Sequence, residues 1–311
     1  MNKGILILSI FFFSVIKVTA QADISMETHW YNRASYNPAS IVRPDFIYFF
    51  TNARKQWTGI NGSPLVFNFQ VSGYNKNLRS GFGFSLINDN IGLSRVINPS
   101  LQYAHLIGIG KELNLAMGLS GGVFVRTLNA SRFEAETIMD PLLTYTNQTS
   151  ARPDANLGFE LQGKYFFIGI STTHLFSKKV SEDNFFYSNH RYGYAYYRTT
   201  DPQLFNLLIG AHVSNRNNLT VYEGHSMIRF KYPTGLLKGP RELFDLGVTW
   251  RSTKQLTLLF GINVAADFRI GYAYDFDFVI NIDKKGTHEI VLEYRIPVIS
   301  KNTDAETDWY F

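Results

Sequence analysis

The feature of this sequence that most constrains its fold is a strict alternation of side-chain character, clearest in FRIGYAYDFDF at residues 268–278. Even positions carry Phe, Ile or Tyr, and odd positions carry Arg, Gly, Ala or Asp. Because successive side chains of a β-strand point to opposite faces, this pattern predicts a strand with one apolar and one polar face. The same alternation recurs at residues 65–73, 81–86, 112–126, 156–162, 244–251 and 288–296.

Two classes of protein contain such strands: soluble sandwiches, whose apolar faces point inward, and membrane barrels, whose apolar faces contact lipid. The alternating segments run to about ten residues, which is long enough to cross a bilayer at a tilt, whereas strands of globular proteins average about five or six. The polar faces are also rich in Gly, Ala and Ser, as crowding inside a closed barrel requires. We therefore predict an all-β fold, a transmembrane outer-membrane antiparallel β-barrel with its apolar stripe facing lipid.

The connections between strands bear on the strand number. Short polar turns are predicted at 75–80, 110–112, 163–164, 215–218 and 252–254, and longer connections at 54–63, 88–98, 127–153 and 175–202. A first count gives about thirteen strands, but bacterial single-chain barrels have even numbers. The aromatic stretch RYGYAYYRT (191–199) supplies a further strand, which favours 14 strands with 12 as the fallback. With 14 strands, the turns 215–218 and 252–254 lie at the outer end.

Both ends of the chain depart from the alternation. Lys3 followed by the apolar stretch 5–16, with small residues before Gln21, is typical of a cleaved signal peptide rather than a membrane anchor. Gln21 has no thiol to acylate, and the chain contains no Cys, so neither a lipoprotein nor a disulfide is expected. The predicted organisation is a signal peptide (1–20), an N-terminal periplasmic or plug segment (21–44), the barrel (45–298) and a C-terminal tail (299–311).

Charge does not indicate nucleic acid. The formal net charge is +5, and the basic residues are scattered rather than clustered on one element. An exported chain also rarely meets nucleic acid, so we expect no such partner.

Catalytic and metal-binding motifs are weak throughout. The pair His225-Ser226 lacks the G-x-S-x-G frame, and the Gly-rich stretch 118–122 lacks the Lys-Ser/Thr of a phosphate loop. Asp275, Asp277 and Asp283 lack the Gly and distal Glu of a calcium loop. The seven histidines show no H-x-x-x-H spacing typical of zinc. We therefore predict no enzyme, no catalytic residue, no metal and no cofactor.

Two sets of residues are candidates for function. The loop containing Arg54, Gln56 and Trp57 is suited to binding a protein partner, although Trp57 is equally suited to anchoring the barrel at the membrane interface. Charged residues on polar strand faces are expected to line the lumen and to pair across neighbouring strands. These candidate lumenal charges are Arg269, Asp275, Asp277, Glu289, Glu293 and Arg295.

Several phrases, in order along the chain, resemble the PorP/SprF family. The early ones are Asn37-Pro38-Ala39, Arg54-x-Gln56-Trp57-x-Gly59 with Pro64, and Gly81-x-Gly83 followed by Asp89-x-x-Gly92. The later ones are Gln102-Tyr103-Ala104, Asp140-Pro141, Gly169-Ile170-Ser171 with His174-Leu175, Gly271-Tyr272-x-Tyr274-Asp275, and Gly286-Thr287-His288-Glu289-Ile290. The resemblance weakens between about 176 and 240, where Glu223-Gly224-His225-Ser226 stands in place of the family's usual Pro-Ser before a basic stretch.

The resemblance implies a non-enzymatic outer-membrane barrel of the type IX secretion system of Bacteroidota, linked to gliding motility. It also implies partners: a secreted cell-surface adhesin with a C-terminal sorting domain, periplasmic and outer-membrane components of the secretion and motility machinery, and outer-membrane lipid. The alternative is an outer-membrane channel for a small solute, whose selectivity the lumenal charges would tune. An outer-membrane hydrolase, which would lose activity on Ser226→Ala, is a third possibility.

Overall fold

Antiparallel strand pairing closes on itself to form a barrel of fourteen strands within the part of the chain that the structure describes. The computed structural model describes residues 26, 28–29, 31–43, 46–130, 146–177, 188–199, 204–216, 219–232, 241–278 and 286–298. Each strand pairs with its neighbours in sequence, and β1 pairs with β14, with Phe46 opposite Pro297 and Lys55 opposite His288. The predicted all-β antiparallel barrel and its fourteen strands are confirmed.

The strands range from 8 to 16 residues, long enough to span a membrane at a tilt. Their bounds are β1 (Phe46–Lys55), β2 (Leu65–Asn75), β3 (Ser80–Ile91), β4 (Ser94–Gly108), β5 (Leu113–Leu128), β6 (Gln148–Gly163), β7 (Phe166–Thr173), β8 (His190–Arg198), β9 (Phe205–Arg216), β10 (Leu219–Tyr232), β11 (Arg241–Arg251), β12 (Gln255–Ala265), β13 (Phe268–Asp277) and β14 (Thr287–Pro297).

Most strands present most of their apolar side chains outward, as the alternation predicts, whereas β8 turns Tyr194 and Tyr196 toward the lumen. On β13, Tyr272 is 39% exposed, whereas the adjacent Ala273 is 1% exposed. On β5, the exposed Met117 and Leu119 alternate with the buried Ala116 and Ser120. Large apolar side chains on the outside of a closed barrel are stable only in a hydrocarbon environment. The apolar stripe is therefore the lipid-facing surface.

The two ends of the barrel differ in the length of their connections. The long-loop end carries the connections at 56–64, 92–93, 129–147, 174–189, 217–218, 252–254 and 278–286, and the short-turn end carries the others together with the start of β1 and the end of β14. As expected for fourteen strands, the turns after β9 and β11 lie at the long-loop end. The predicted long connection at 88–98 is wrong: β3 and β4 stay paired up to Ile91 and Ser94. A two-residue turn suffices because Gly92 adopts a φ of 55°.

Two short 3-10 turns, Arg33–Ser35 and Pro38–Ile41, lie in the N-terminal part of the described chain. No helix within the described ranges has the length and apolar character to cross a membrane. The predicted signal peptide (1–20) and C-terminal tail (299–311) lie outside the described residues.

Candidate functional site

The lumen of the barrel contains the inner segment, by which we mean the described residues between Met26 and Arg43. Hydrogen bonds join this segment to strands on opposite sides of the barrel. Tyr31 donates to Asp245 of β11 (2.8 Å), and the Gln102 amide of β4 donates to the carbonyl of Ala34 (3.1 Å). Because β4 and β11 lie half a circumference apart in the strand order, the inner segment crosses the lumen.

The turn in the middle of the inner segment has a local cause in the sequence. Asn37 caps the second 3-10 turn, where its Oδ1 accepts a hydrogen bond from the Ala39 amide (3.0 Å). Pro38 follows at the first helical position, where its missing N–H costs nothing. The Asn37 amide also donates to the Phe159 carbonyl of β6 (3.1 Å) and to the Tyr194 hydroxyl of β8 (2.8 Å). The same side chain thus shapes the turn and attaches it to the wall.

Glycines on β5 and β6 allow this turn to approach the wall closely. A Cβ added to Gly118 would lie 2.2 Å from the Ala39 amide nitrogen, and one added to Gly158 would lie 1.9 Å from Asn37 Oδ1. Both distances are shorter than any ordinary contact, so the turn occupies the space that side chains at these positions would fill. The small residues seen on the polar faces of the sequence therefore make room for the inner segment.

A buried ion pair attaches the first 3-10 turn to β6. Arg33 Nε donates to Glu160 Oε2 (2.9 Å), and Gln162 donates to Glu160 Oε1 (2.8 Å). The Tyr194 hydroxyl also donates to Glu160, which is 0% exposed. The Arg33 guanidinium lies over the ring of Phe167, 3.9 Å from its centroid. Burial opposes the charge on Arg33, but the Glu160 carboxylate outweighs it and raises the pKa of Arg33 above its ordinary value.

A second network of charges lines the wall near the short-turn end. Arg269 pairs with Glu242, with Asp245 (3.5 Å) and with Glu293 (3.8 Å), and Arg295 pairs with Glu242 (3.1 Å) and Glu293 (3.5 Å). Arg229 joins through Asp245 (2.7 Å) and Glu242 (3.0 Å). Three guanidinium groups thus face three carboxylates across β10, β11, β13 and β14. Tyr31 of the inner segment donates a hydrogen bond to one of these carboxylates, Asp245. Because these charges are paired with one another, they stabilise the lumen and leave little net charge to attract a solute.

The remaining predicted lumenal charges lie in separate groups. Glu289 is buried and accepts hydrogen bonds from Thr28 of the inner segment and from Asn52 (2.8 Å). Asp275 lies 3.8 Å from Arg251 and accepts a hydrogen bond from Thr257 (3.0 Å). Asp277 is half-buried and accepts from Gln255 at the end of the strand (3.1 Å). The structure thus brings Arg269, Glu293 and Arg295 together and places Asp275, Asp277 and Glu289 elsewhere.

The candidate loop of Arg54, Gln56 and Trp57 differs from its prediction. Arg54 belongs to β1 rather than to the loop, because its strand stays paired up to Lys55, and its side chain is buried 3.9 Å from Glu289. It donates to Gln56 (3.0 Å), which keeps that amide at the rim of the lumen. Trp57 is half-buried and has a φ of 47°, so it turns the chain. Arg54 is therefore a lumenal residue and does not form part of an exposed partner-binding loop.

A cluster of histidines is the group that the sequence pattern did not reveal. His29 of the inner segment, His212 of β9, and Glu223 and His225 of β10 are all buried and face one another in the lumen. His29, His212 and Glu223 line a small cavity, which His174 also lines. The spacing Glu223-x-His225 on a strand was the available signal, since i and i+2 share a face. The pairing of Glu223 with His212 and the arrival of His29 require the tertiary structure.

Comparison with known families decides the identity of the barrel. The family model described as type IX secretion system membrane protein PorP/SprF matches residues 18–294. The chain belongs to the PorP/SprF family. A PorP/SprF protein with this barrel and its lipid-facing belt is an outer-membrane component of the type IX secretion system. The family and fold are not those of an enzyme class. Comparison with curated proteins found no significant match.

Solved structures similar to this PorP/SprF barrel are also outer-membrane barrels. The CymD monoaromatic hydrocarbon channel has a TM-score of 0.53 and 13% identity, covering 88% of this chain and 94% of its own. The P. putida toluene transporter TodX has a TM-score of 0.50 and 10% identity, covering 86% of this chain and 94% of its own. At such low identity the likeness supports the fold alone.

Proposed function

We propose that this PorP/SprF protein is a non-enzymatic barrel that supports the secretion or surface anchoring of a large adhesin-type cargo through the cargo's C-terminal sorting domain, in connection with gliding motility. The observation that carries the proposal is that the lumen of this family member is occupied: the inner segment crosses it and is held by a buried ion pair between Arg33 and Glu160 and by a buried hydrogen bond from Tyr31 to Asp245. A wall whose charges are already paired favours a rigid scaffold over a pathway for ions. The scaffold would present its long loops to cargo and its short turns to periplasmic machinery, within outer-membrane lipid.

The alternative, a channel for a small solute, is favoured by a specific observation. The cavity beside His212 and His174 lies near the long-loop end, because Thr173, His190 and Arg216 at the ends of β7, β8 and β9 also line it, and it offers a place for a small solute. The inner segment would then gate passage rather than stop it.

The two functions make opposite predictions in two experiments. Purified full-length protein in a planar bilayer should show no sustained ion current if it is a plugged scaffold, and a robust current would support the channel. The native protein, isolated from its outer membrane in mild detergent, should bring with it a large surface protein with a C-terminal sorting domain. Deletion of the gene should leave that protein inside the cell or shed it into the medium. A deletion strain with normal cargo at its surface would contradict the proposal.

A further inference from the structure

The three buried imidazoles around Glu223 converge on one point. Glu223 Oε2 lies 3.1 Å from His29 Nε2, 3.7 Å from His212 Nδ1 and 3.7 Å from His225 Nε2. Ligand atoms about 2.0–2.1 Å from a tetrahedral zinc ion lie roughly 3.3 Å from one another. The ligand atoms of His29, His212 and Glu223 all lie within 4.8 Å of one another, close enough to share one metal ion, and each of these side chains is at most 6% exposed.

The outer hydrogen bonds direct the ring nitrogens toward that point. His29 Nδ1 lies 2.9 Å from the Met26 carbonyl, which can only accept, so Nδ1 carries the proton and the Nε2 lone pair of the neutral ring faces Glu223. His225 Nδ1 lies 2.8 Å from the Thr249 hydroxyl, which can hold that ring in the same tautomer. Partners of this kind orient the histidines of metal sites.

The polar atoms around this point are not satisfied by hydrogen bonds. Both ring nitrogens of His212 and Glu223 Oε2 have no hydrogen-bond partner among the described residues, although all are buried. Buried polar atoms left in this way are costly unless a proton or a cation lies between them. Arg251 donates to the other oxygen, Glu223 Oε1 (2.9 Å), and so leaves Oε2 for a second positive charge.

We propose that His29, His212 and Glu223 form a binding site for a divalent transition metal of the zinc class. Two imidazoles and one carboxylate are a donor set that Zn²⁺ accepts, with the fourth position left for water, whereas Ca²⁺ and Mg²⁺ prefer oxygen alone. Glu223 lies on β10, His212 is opposite it on β9, and His29 comes from the inner segment. A metal here connects the inner segment to the barrel wall, and the adjoining cavity gives it a route of entry.

The test is zinc binding by the full-length protein, purified without a histidine tag and stripped with a chelator. Titration with zinc chloride, followed by equilibrium dialysis and metal analysis, should give one Zn²⁺ per chain with a Kd in the micromolar range or tighter. His212→Gln and His29→Gln should each weaken binding at least tenfold. The matched control is His288→Gln, since His288 lies on β14 in contact with the lipid-facing Tyr272, and it should bind as the parent does. Bound Co²⁺ should give the visible bands of a tetrahedral site, lost in the same variants.

If His212→Gln, a substitution in the barrel wall, does not fold, His29→Gln still tests the proposal, because His29 lies outside the strands. No zinc bound at a hundredfold excess, or equal affinity in His29→Gln and the parent, would overturn the proposal. The cluster would then be a protonated histidine paired with Glu223.

Discussion

At the scale of single residues, the lumen depends on charges that compensate one another. Glu160 shows this most clearly. It accepts hydrogen bonds from Arg33, Tyr194 and Gln162, and it is 0% exposed. A buried pair of this kind adds little net stability by itself, but removing one partner leaves the other charge buried without compensation. The cost of losing Glu160 therefore falls on Arg33 and on the inner segment that carries it.

We expect Glu160→Gln to lower the free energy of unfolding by about 3–5 kcal/mol, since Arg33 keeps its charge and loses its counterion. Urea titration of the protein in detergent micelles, followed by tryptophan fluorescence, measures the change. Combining Glu160→Gln with Arg33→Met should recover part of the loss. The control is Glu112→Gln, in an exposed turn at the short-turn end. If Glu160→Gln and Glu112→Gln were equally stable, the role of the Arg33–Glu160 pair would be contradicted.

At the scale of elements, the inner segment and the wall fit each other because the wall provides glycines. The turn at Asn37–Ile41 packs against β5 and β6, where Gly118 and Gly158 leave no room for a Cβ. Gly121, on the lipid-facing side of the same strand, has nothing within 4 Å of an added Cβ. β5 thus has one glycine packed against the inner segment and another with open space around it.

We expect Gly118→Ala to displace the inner segment, because its Cβ would meet backbone atoms of Pro38 and Ala39, and such overpacking costs about 1–3 kcal/mol. Hydrogen exchange measured by mass spectrometry should rise over residues 31–43, with a new ion current in planar bilayers if the segment leaves the lumen. Gly121→Ala is the matched control and should exchange as the parent does. A parent-like Gly118→Ala would show that the segment is not held by this contact.

At the scale of the whole molecule, the connections distinguish the two ends of the barrel. Both the start of β1 and the end of β14 lie at the short-turn end, and the longest connections lie at the other. Outer-membrane barrels place short turns in the periplasm and long loops outside. The long-loop end is therefore expected to face the exterior.

The absence of cysteine from the chain makes this orientation directly testable. We expect Asn61→Cys, exposed in the loop after β1, to react with a membrane-impermeant maleimide in intact cells. Lys111→Cys, exposed in a turn at the short-turn end, should react only after the outer membrane is permeabilised. Labelling of Lys111→Cys alone in intact cells would reverse the assignment of the two ends.

Local sequence pattern was sufficient for the wall of this protein and for its faces. The period of two between Tyr272 and Ala273, repeated along the chain, is a property of neighbouring residues, and on most strands it predicts which side chains meet lipid without any knowledge of pairing. On β8 the more aromatic face, with Tyr194 and Tyr196, points into the lumen instead. The number of strands followed once RYGYAYYRT was included, since an even count closes the barrel with both ends on one side. The pattern was less reliable for the ends of the strands. The polar composition of residues 88–98 predicts a long loop, but β3 and β4 stay paired there, because Gly92 allows a turn of two residues.

Only the tertiary structure decided what fills the barrel. The partners Arg33 and Glu160, or His29 and Glu223, are far apart in sequence and meet only after the strands have closed and the inner segment has entered. Arg54 looked like an exposed loop residue until its strand was seen to continue through it. Alternation assigns a residue to a face, but which charge stands opposite which depends on register and ring closure, and these are set by contacts between distant parts of the chain.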